Sequence, residues 1–209
     1  MALVKLNNNG VKNATAFGSA VTSLGSMVFI KKLTASGSST LSFVDGASGV
    51  VLDNTYKEYV FTFKDIHPAT DDVNFTFNFS TNGGSNYNVT KTTTVFNAYH
   101  KEDNSEAALA YNPYDDLAQN TGYQSLSSFG QMGTDNDKSL CSTIHLFNPS
   151  STTFVKHFIA TTQFYQREDR SNNVFTAGYA NTTSAVDAVR FQMSSGNIDA
   201  GDICLYGIA

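Results

Sequence analysis

Residues 74–80 read Asn74-Phe75-Thr76-Phe77-Asn78-Phe79-Ser80. A phenylalanine falls at every second position, and a small polar residue separates each from the next. Side chains of an extended chain alternate between two faces, so three aromatic rings share one side and the polar residues share the other. A helix would scatter the same rings around its circumference. The spacing predicts a half-buried strand. Upstream, Tyr59, Phe61 and Phe63 alternate with Glu58, Val60, Thr62 and Lys64 in the same way. Downstream, Asn82-Gly83-Gly84 supplies residues that accept positive φ, and predicts a hairpin turn leading to a return strand over 89–99.

Working outward, further strands are expected over 27–33, 40–44, 123–129, 140–147, 154–164, 174–179, 186–193 and 203–208, with Asn148-Pro149-Ser150-Ser151 as a turn between two of them. One helix candidate interrupts them. Ser105 can cap Glu106-Ala107-Ala108-Leu109-Ala110, and Pro113 stops it. That places a helical turn or two inside a long excursion over 101–122, a length often associated with function. About ten short strands with almost no helix predict an all-β fold, an antiparallel jelly-roll-like β-sandwich over 26–209.

Residues 1–25 differ. They are rich in Asn, Ser, Thr and Gly, and only Leu3, Leu6, Val11, Phe17, Val21 and Leu24 can pack. Such a segment has no core of its own and reads as an N-terminal arm that anchors on another surface.

The chain has 209 residues, of which 15% are charged, with a net charge of −5 and a pI of about 5.2. An average domain is about 25% charged, so the surface is polar but mostly neutral. Nothing suits a phosphate backbone, which needs clustered Lys and Arg; Lys31-Lys32 is the one adjacent basic pair. No direct nucleic-acid partner is expected. No run of ~18 apolar residues calls for membrane insertion. Cys141 and Cys204 each sit in an apolar run and read as two buried thiols rather than a disulfide.

A search for catalytic chemistry gives little. Asp71-Asp72, Asp115-Asp116 and Asp135 with Asp137 fall in turn-like segments and read as solvated turn residues. His145 and His157 would lie close on facing strands if residues 148–152 make the turn, but no third ligand accompanies them. No nucleophile elbow or phosphate loop occurs. The expectation is a protein without catalytic residues, metal or cofactor. Two loop clusters are the binding candidates: Tyr111, Asn112, Tyr114, Asp115 and Asp116 after the expected helical turn, and Tyr165, Gln166, Arg167, Glu168, Asp169 and Arg170 at a strand end. Aromatic faces beside amides and carboxylates suit a sugar ring or a neighbouring subunit, and the residues alone leave both open.

Several longer runs support a comparison. They are Tyr59-Val60-Phe61-Thr62-Phe63-Lys64-Asp65-Ile66-His67-Pro68, the run from Gly83 to Thr94, the run from Leu146 to Phe158, Met193-Ser194-Ser195-Gly196-Asn197-Ile198-Asp199-Ala200-Gly201, and Leu205-Tyr206-Gly207. Over about residues 56–209 the chain resembles β-sandwich domains of virion proteins from marine tailed bacteriophages, particularly those infecting cyanobacteria. The resemblance implies a structural protein of the virion, assembled in the host cytoplasm, and a homotrimer in contact with other virion proteins. It carries over no catalytic residues. Longer members place fibre-like parts before this domain, whereas here some 25 residues precede the sandwich. That favours a head decoration or short projection anchored by the arm. The alternative is a receptor-binding tail-fibre module that recognises host surface polysaccharide.

Overall fold

The structure, a computed structural model, describes residues 26–209. The expected anchoring arm, with Leu3, Leu6, Val11, Phe17, Val21 and Leu24, lies outside the described residues.

Twelve strands follow one another: β1 (Met27–Thr34), β2 (Leu41–Val44), β3 (Glu58–Pro68), β4 (Phe75–Ser80), β5 (Lys91–Lys101), β6 (Ala107–Tyr111), β7 (Gln124–Ser125), β8 (Leu140–Phe147), β9 (Lys156–Gln166), β10 (Arg170–Ala180), β11 (Ala188–Met193) and β12 (Ile198–Ile208). They form two antiparallel sheets. One has eight strands in the order β1-β12-β3-β8-β9-β10-β5-β6, and the other has four in the order β2-β11-β4-β7. Four strands of the larger sheet belong to two hairpins, β5-β6 and β9-β10, whose members β5 and β10 pair with each other. Without those hairpins, two four-stranded sheets would remain, β1-β12-β3-β8 and β2-β11-β4-β7.

The phenylalanines of the alternating runs close the space between the sheets. Phe191 of β11 lies 5.4 Å from Phe61 and 4.9 Å from Phe63 across the interface, ring centre to ring centre, and 6.1 Å from Phe75 beside it. Phe77 meets Phe158 of β9 edge-on at 5.2 Å. Edge-to-face contacts of this kind add to the burial of area that dominates the core.

Several expectations are corrected. The segment 106–110 is no helix: Ala107–Tyr111 is a strand pairing with β5 from Phe96↔Tyr111 to His100↔Ala107. Asp103 Oδ1 accepts from the Ser105 N–H at 2.9 Å, which makes a local turn rather than a helix cap, and the apolar run is drawn to an open sheet edge. Asn82-Gly83-Gly84 is no hairpin turn, because β4 and β5 lie in different sheets. Ser80 Oγ and Asn82 Oδ1 accept backbone N–H groups from Gly84 and Asn86 and shape the crossing between sheets. The stretch 123–129 contributes only Gln124–Ser125 as strand. Finally, β4 is buried on both faces rather than half-buried. Its polar face is covered by the crossing loops, and Asn78 Nδ2 donates to the carbonyls of Tyr87 (2.7 Å) and Thr121 (3.0 Å).

Two register shifts face each other where β3 bends. β3 slips against β8 between Phe63 and Ile66, and β12 slips against β3 on either side of Ala200. Gly201 takes a φ of +119° there, and a Cβ at this position would stand 2.7 Å from the Asp65 carbonyl oxygen.

Candidate functional site

Two features of the surface stand out. The first is the outer face of the eight-stranded sheet. Alternation sends every second residue of β8, β9, β10 and β5 outward. Those residues include Phe147, Ile159, Phe175, Ala177, Tyr179 and Phe96, with Thr, Gln, Ser, Asn, His and Cys between them. None of these outward positions within the four strands carries Lys, Arg, Asp or Glu. Phe96 and Phe175 stack with ring centres 4.9 Å apart and planes 10° from parallel, and both are exposed. Leu109 and Tyr111 of β6 continue the apolar surface at one edge, and Phe29, packed on Tyr206, continues it at the other.

The second feature is the rim where the chain leaves β6 and crosses to β7. All five residues of the first candidate cluster are brought together here. Asn112 Oδ1 accepts the Tyr114 N–H at 3.0 Å, and Gln124 Nε2 donates to the Asp115 carbonyl at 3.1 Å. The Tyr111 hydroxyl donates to Asp116, and Asn112 Nδ2 donates to Asp115. These bonds hold a ridge on which the Tyr114 ring is 94% exposed.

The second candidate cluster, Tyr165 to Arg170, is the β9-β10 hairpin and its flanks. Its charges are engaged with one another. Buried Lys138 reaches Asp135 at 2.8 Å and Asp169 at 3.1 Å, and lies over the Tyr165 ring. Arg167 pairs with Asp72 and Glu168, and Arg170 with Glu106 and Glu168. The Asp135 hydrogen bond, ahead of that to Asp169, holds the Lys138 ammonium above its ordinary range. Desolvation, with hydrogen bonds to Glu102 and Asp169, pushes the Tyr165 hydroxyl up to about 12. This cluster clamps a hairpin. The Arg167 N–H donates to the Gln131 carbonyl at 3.2 Å, which ties the hairpin to the segment before β8.

The histidine pair does not converge on a metal. The register sets His145 opposite Ile159, and His145 Nδ1 lies 2.6 Å from Glu58 Oε1. Among the described residues, no group of three or more His, Cys, Asp or Glu is arranged to hold a metal ion. The cysteines are free, as expected, but not buried: Cys141 is exposed and Cys204 half-buried. Both lie on the outer face of the large sheet, where strand alternation outweighs their apolar surroundings in sequence.

Sequence reasoning missed the outer face and singled out none of Phe96, Ile159 and Phe175. Their parity relative to buried Val95, Phe158 and Val174 was the available signal. No family model, no curated protein and no solved structure matches the chain.

Proposed function

We propose that this chain is a non-catalytic structural protein of a virion surface, a decoration or short projection, whose copies assemble through the outer face of the eight-stranded sheet. The observation that carries this is the uncharged, aromatic surface of β5, β8, β9 and β10. Strands ~4.8 Å apart and ~3.3 Å long per residue give these four strands a face of roughly 650 Å², and β6 extends it to about 730 Å². A standard interface needs about 800 Å² per partner. An uncharged surface of this size that exposes several aromatic rings suits an interaction site. A symmetric oligomer would remove it from water in every copy at once, and a trimer is what the resemblance over residues 56–209 implies. The strand order supports reading the sandwich as a jelly roll whose larger sheet two inserted hairpins have widened.

Sedimentation of the purified chain at micromolar concentration tests the reading. The chain should run as an oligomer, and the Phe96→Glu/Phe175→Glu variant should run as a folded monomer whose melting temperature falls only by the lost association. A monomeric wild-type chain, or an oligomer indifferent to both substitutions, would overturn assembly through this face.

A further inference from the structure

The Tyr114 ridge divides two clefts. One, of about 380 Å³, is walled by Tyr111, Asn112, Phe129 and Gln131. The other, of about 400 Å³, is walled by Thr76, Tyr123, Ser125, Gln192 and Ser194. Asn74, Tyr114 and Asp115 belong to both. The clefts therefore form one bipartite depression with an aromatic ring standing in its middle.

One atom in this depression is unexplained by the fold. Ser125 is 8% exposed, and its Oγ has no hydrogen-bond partner among the described residues. A buried hydroxyl left unpaired opposes folding. Its neighbours in the sheet are paired: Thr76 Oγ1 donates to the Gln192 carbonyl at 2.9 Å, and Ser127 Oγ accepts the Phe75 N–H at 2.9 Å. The side-chain amides of Gln131 and Gln192 stand half-exposed in the walls of the two clefts. The ridge is held in place by the Asn112 and Gln124 hydrogen bonds, so a ligand would lose little to ordering it, and a small shift of the residues over Ser125 would open its Oγ, which is closed to solvent, to that ligand.

The chemistry of the walls selects the ligand. Tyrosine rings offer apolar faces with polar tips, and hydroxyls and amides that both donate and accept lie beside them. Among the described residues, Asp115 is the one charged residue in either wall, which favours neutral over anionic groups. A sugar ring presents C–H bonds on its flat face and hydroxyls around its edge, and matches such a surface. We propose that the paired clefts beside Tyr114 bind a neutral saccharide chain, with one sugar stacked on the Tyr114 ring and a sugar hydroxyl bonded to Ser125 Oγ. This adds a recognition activity to the assembly proposed above and does not depend on it.

The full chain is applied to an array of neutral oligosaccharides, with uronate-bearing and sulfated ones alongside, and hits are measured by titration calorimetry. At least one neutral oligosaccharide should bind. Tyr114→Ala should weaken it by about ten-fold or more, which corresponds to about 1.4 kcal/mol. Ser125→Ala should weaken it by a smaller factor and should raise the melting temperature by removing the unpaired hydroxyl, while Tyr114→Ala should keep the wild-type melting temperature. The Phe96→Glu/Phe175→Glu variant should bind with unchanged affinity per chain, which separates this site from the assembly face. Absence of binding to every neutral member, binding confined to acidic ones, or affinity indifferent to Tyr114→Ala would each overturn the proposal.

Discussion

Lys91 Nζ donates to Asn78 Oδ1 at 2.5 Å and to the Val89 carbonyl at 2.8 Å, so a lysine of the larger sheet is tied to an asparagine on the loop-covered face of the smaller one. Among the described residues, no carboxylate pairs with Lys91. Lys91 stands opposite Ala180, and Ala180 stands opposite Lys156. Lys156 is equally buried and is held at 3.0 Å by the carbonyls of Phe154 and Thr182. Burial pulls both ammonium groups down, Lys91 to about 7.

Stability should therefore depend on pH in the neutral-to-alkaline range. Between about 7 and the ordinary lysine value of 10.5, the unfolded chain binds a proton that the folded chain does not, so stability rises with pH. Below about 7 both states are protonated and the cost of burying the charge, of order a few kcal/mol, is present in full. Urea unfolding from pH 6 to 10 should show this rise. Lys91→Met should flatten it, and an unchanged slope in that variant would show that Lys91 stays charged in the folded state.

Phe191 touches aromatic rings from both sheets. Phe191→Ala should cost roughly 3–5 kcal/mol, measurable as a lowered denaturation midpoint. Phe96→Ala, on the exposed face, should leave the monomer's stability nearly unchanged.

Gly201 combines a left-handed φ of +119° with close approach to the β3 backbone. Gly201→Ala meets the strain and the contact with the Asp65 carbonyl together, and should destabilise by about 2–4 kcal/mol. Gly37, with a φ of +61° but open space around it, should tolerate alanine at a cost of about 1 kcal/mol. The difference between the two thermal midpoints checks the argument.

Lys138 anchors the β9-β10 hairpin through two carboxylates and the Arg167 carbonyl. Lys138→Met should cost about 1–2 kcal/mol, because both carboxylates are exposed and can turn to water. Hydrogen exchange should show the loss as faster opening at the hairpin end rather than throughout the sheet.

How much of this was legible beforehand follows from local pattern. The runs around Phe61 and Phe77 announced strands because period-two spacing is written in neighbouring residues, and Leu140–Phe147 was placed to the residue. Pairing was not legible. Asn82-Gly83-Gly84 has hairpin chemistry, yet β4 finds its partners in β11 and β7, because burying three phenylalanines between two sheets outweighs a local turn preference. The same competition turned Ala107–Tyr111 into a strand: its residues favour a helix, but an open edge beside β5 was waiting. The Tyr111–Asp116 cluster was found from its composition. Ser125 was not, because an unpaired hydroxyl exists only once the surrounding partners have been assigned.

The closure of the larger sheet has a consequence in time. β1 pairs with β12 from Met27↔Ile208 to Thr34↔Asp202, and β2 pairs with β11. The earliest described strands to leave a ribosome thus wait for the latest. At ~5–20 residues per second the interval is roughly ten to forty seconds. Throughout it, Phe43 lacks Phe191, and the edge of β3 that β12 will cover stays open. Nascent chains should be most prone to aggregate in that interval, and slower initiation, which spaces the chains apart, should raise the soluble yield more than slower elongation, which lengthens the wait.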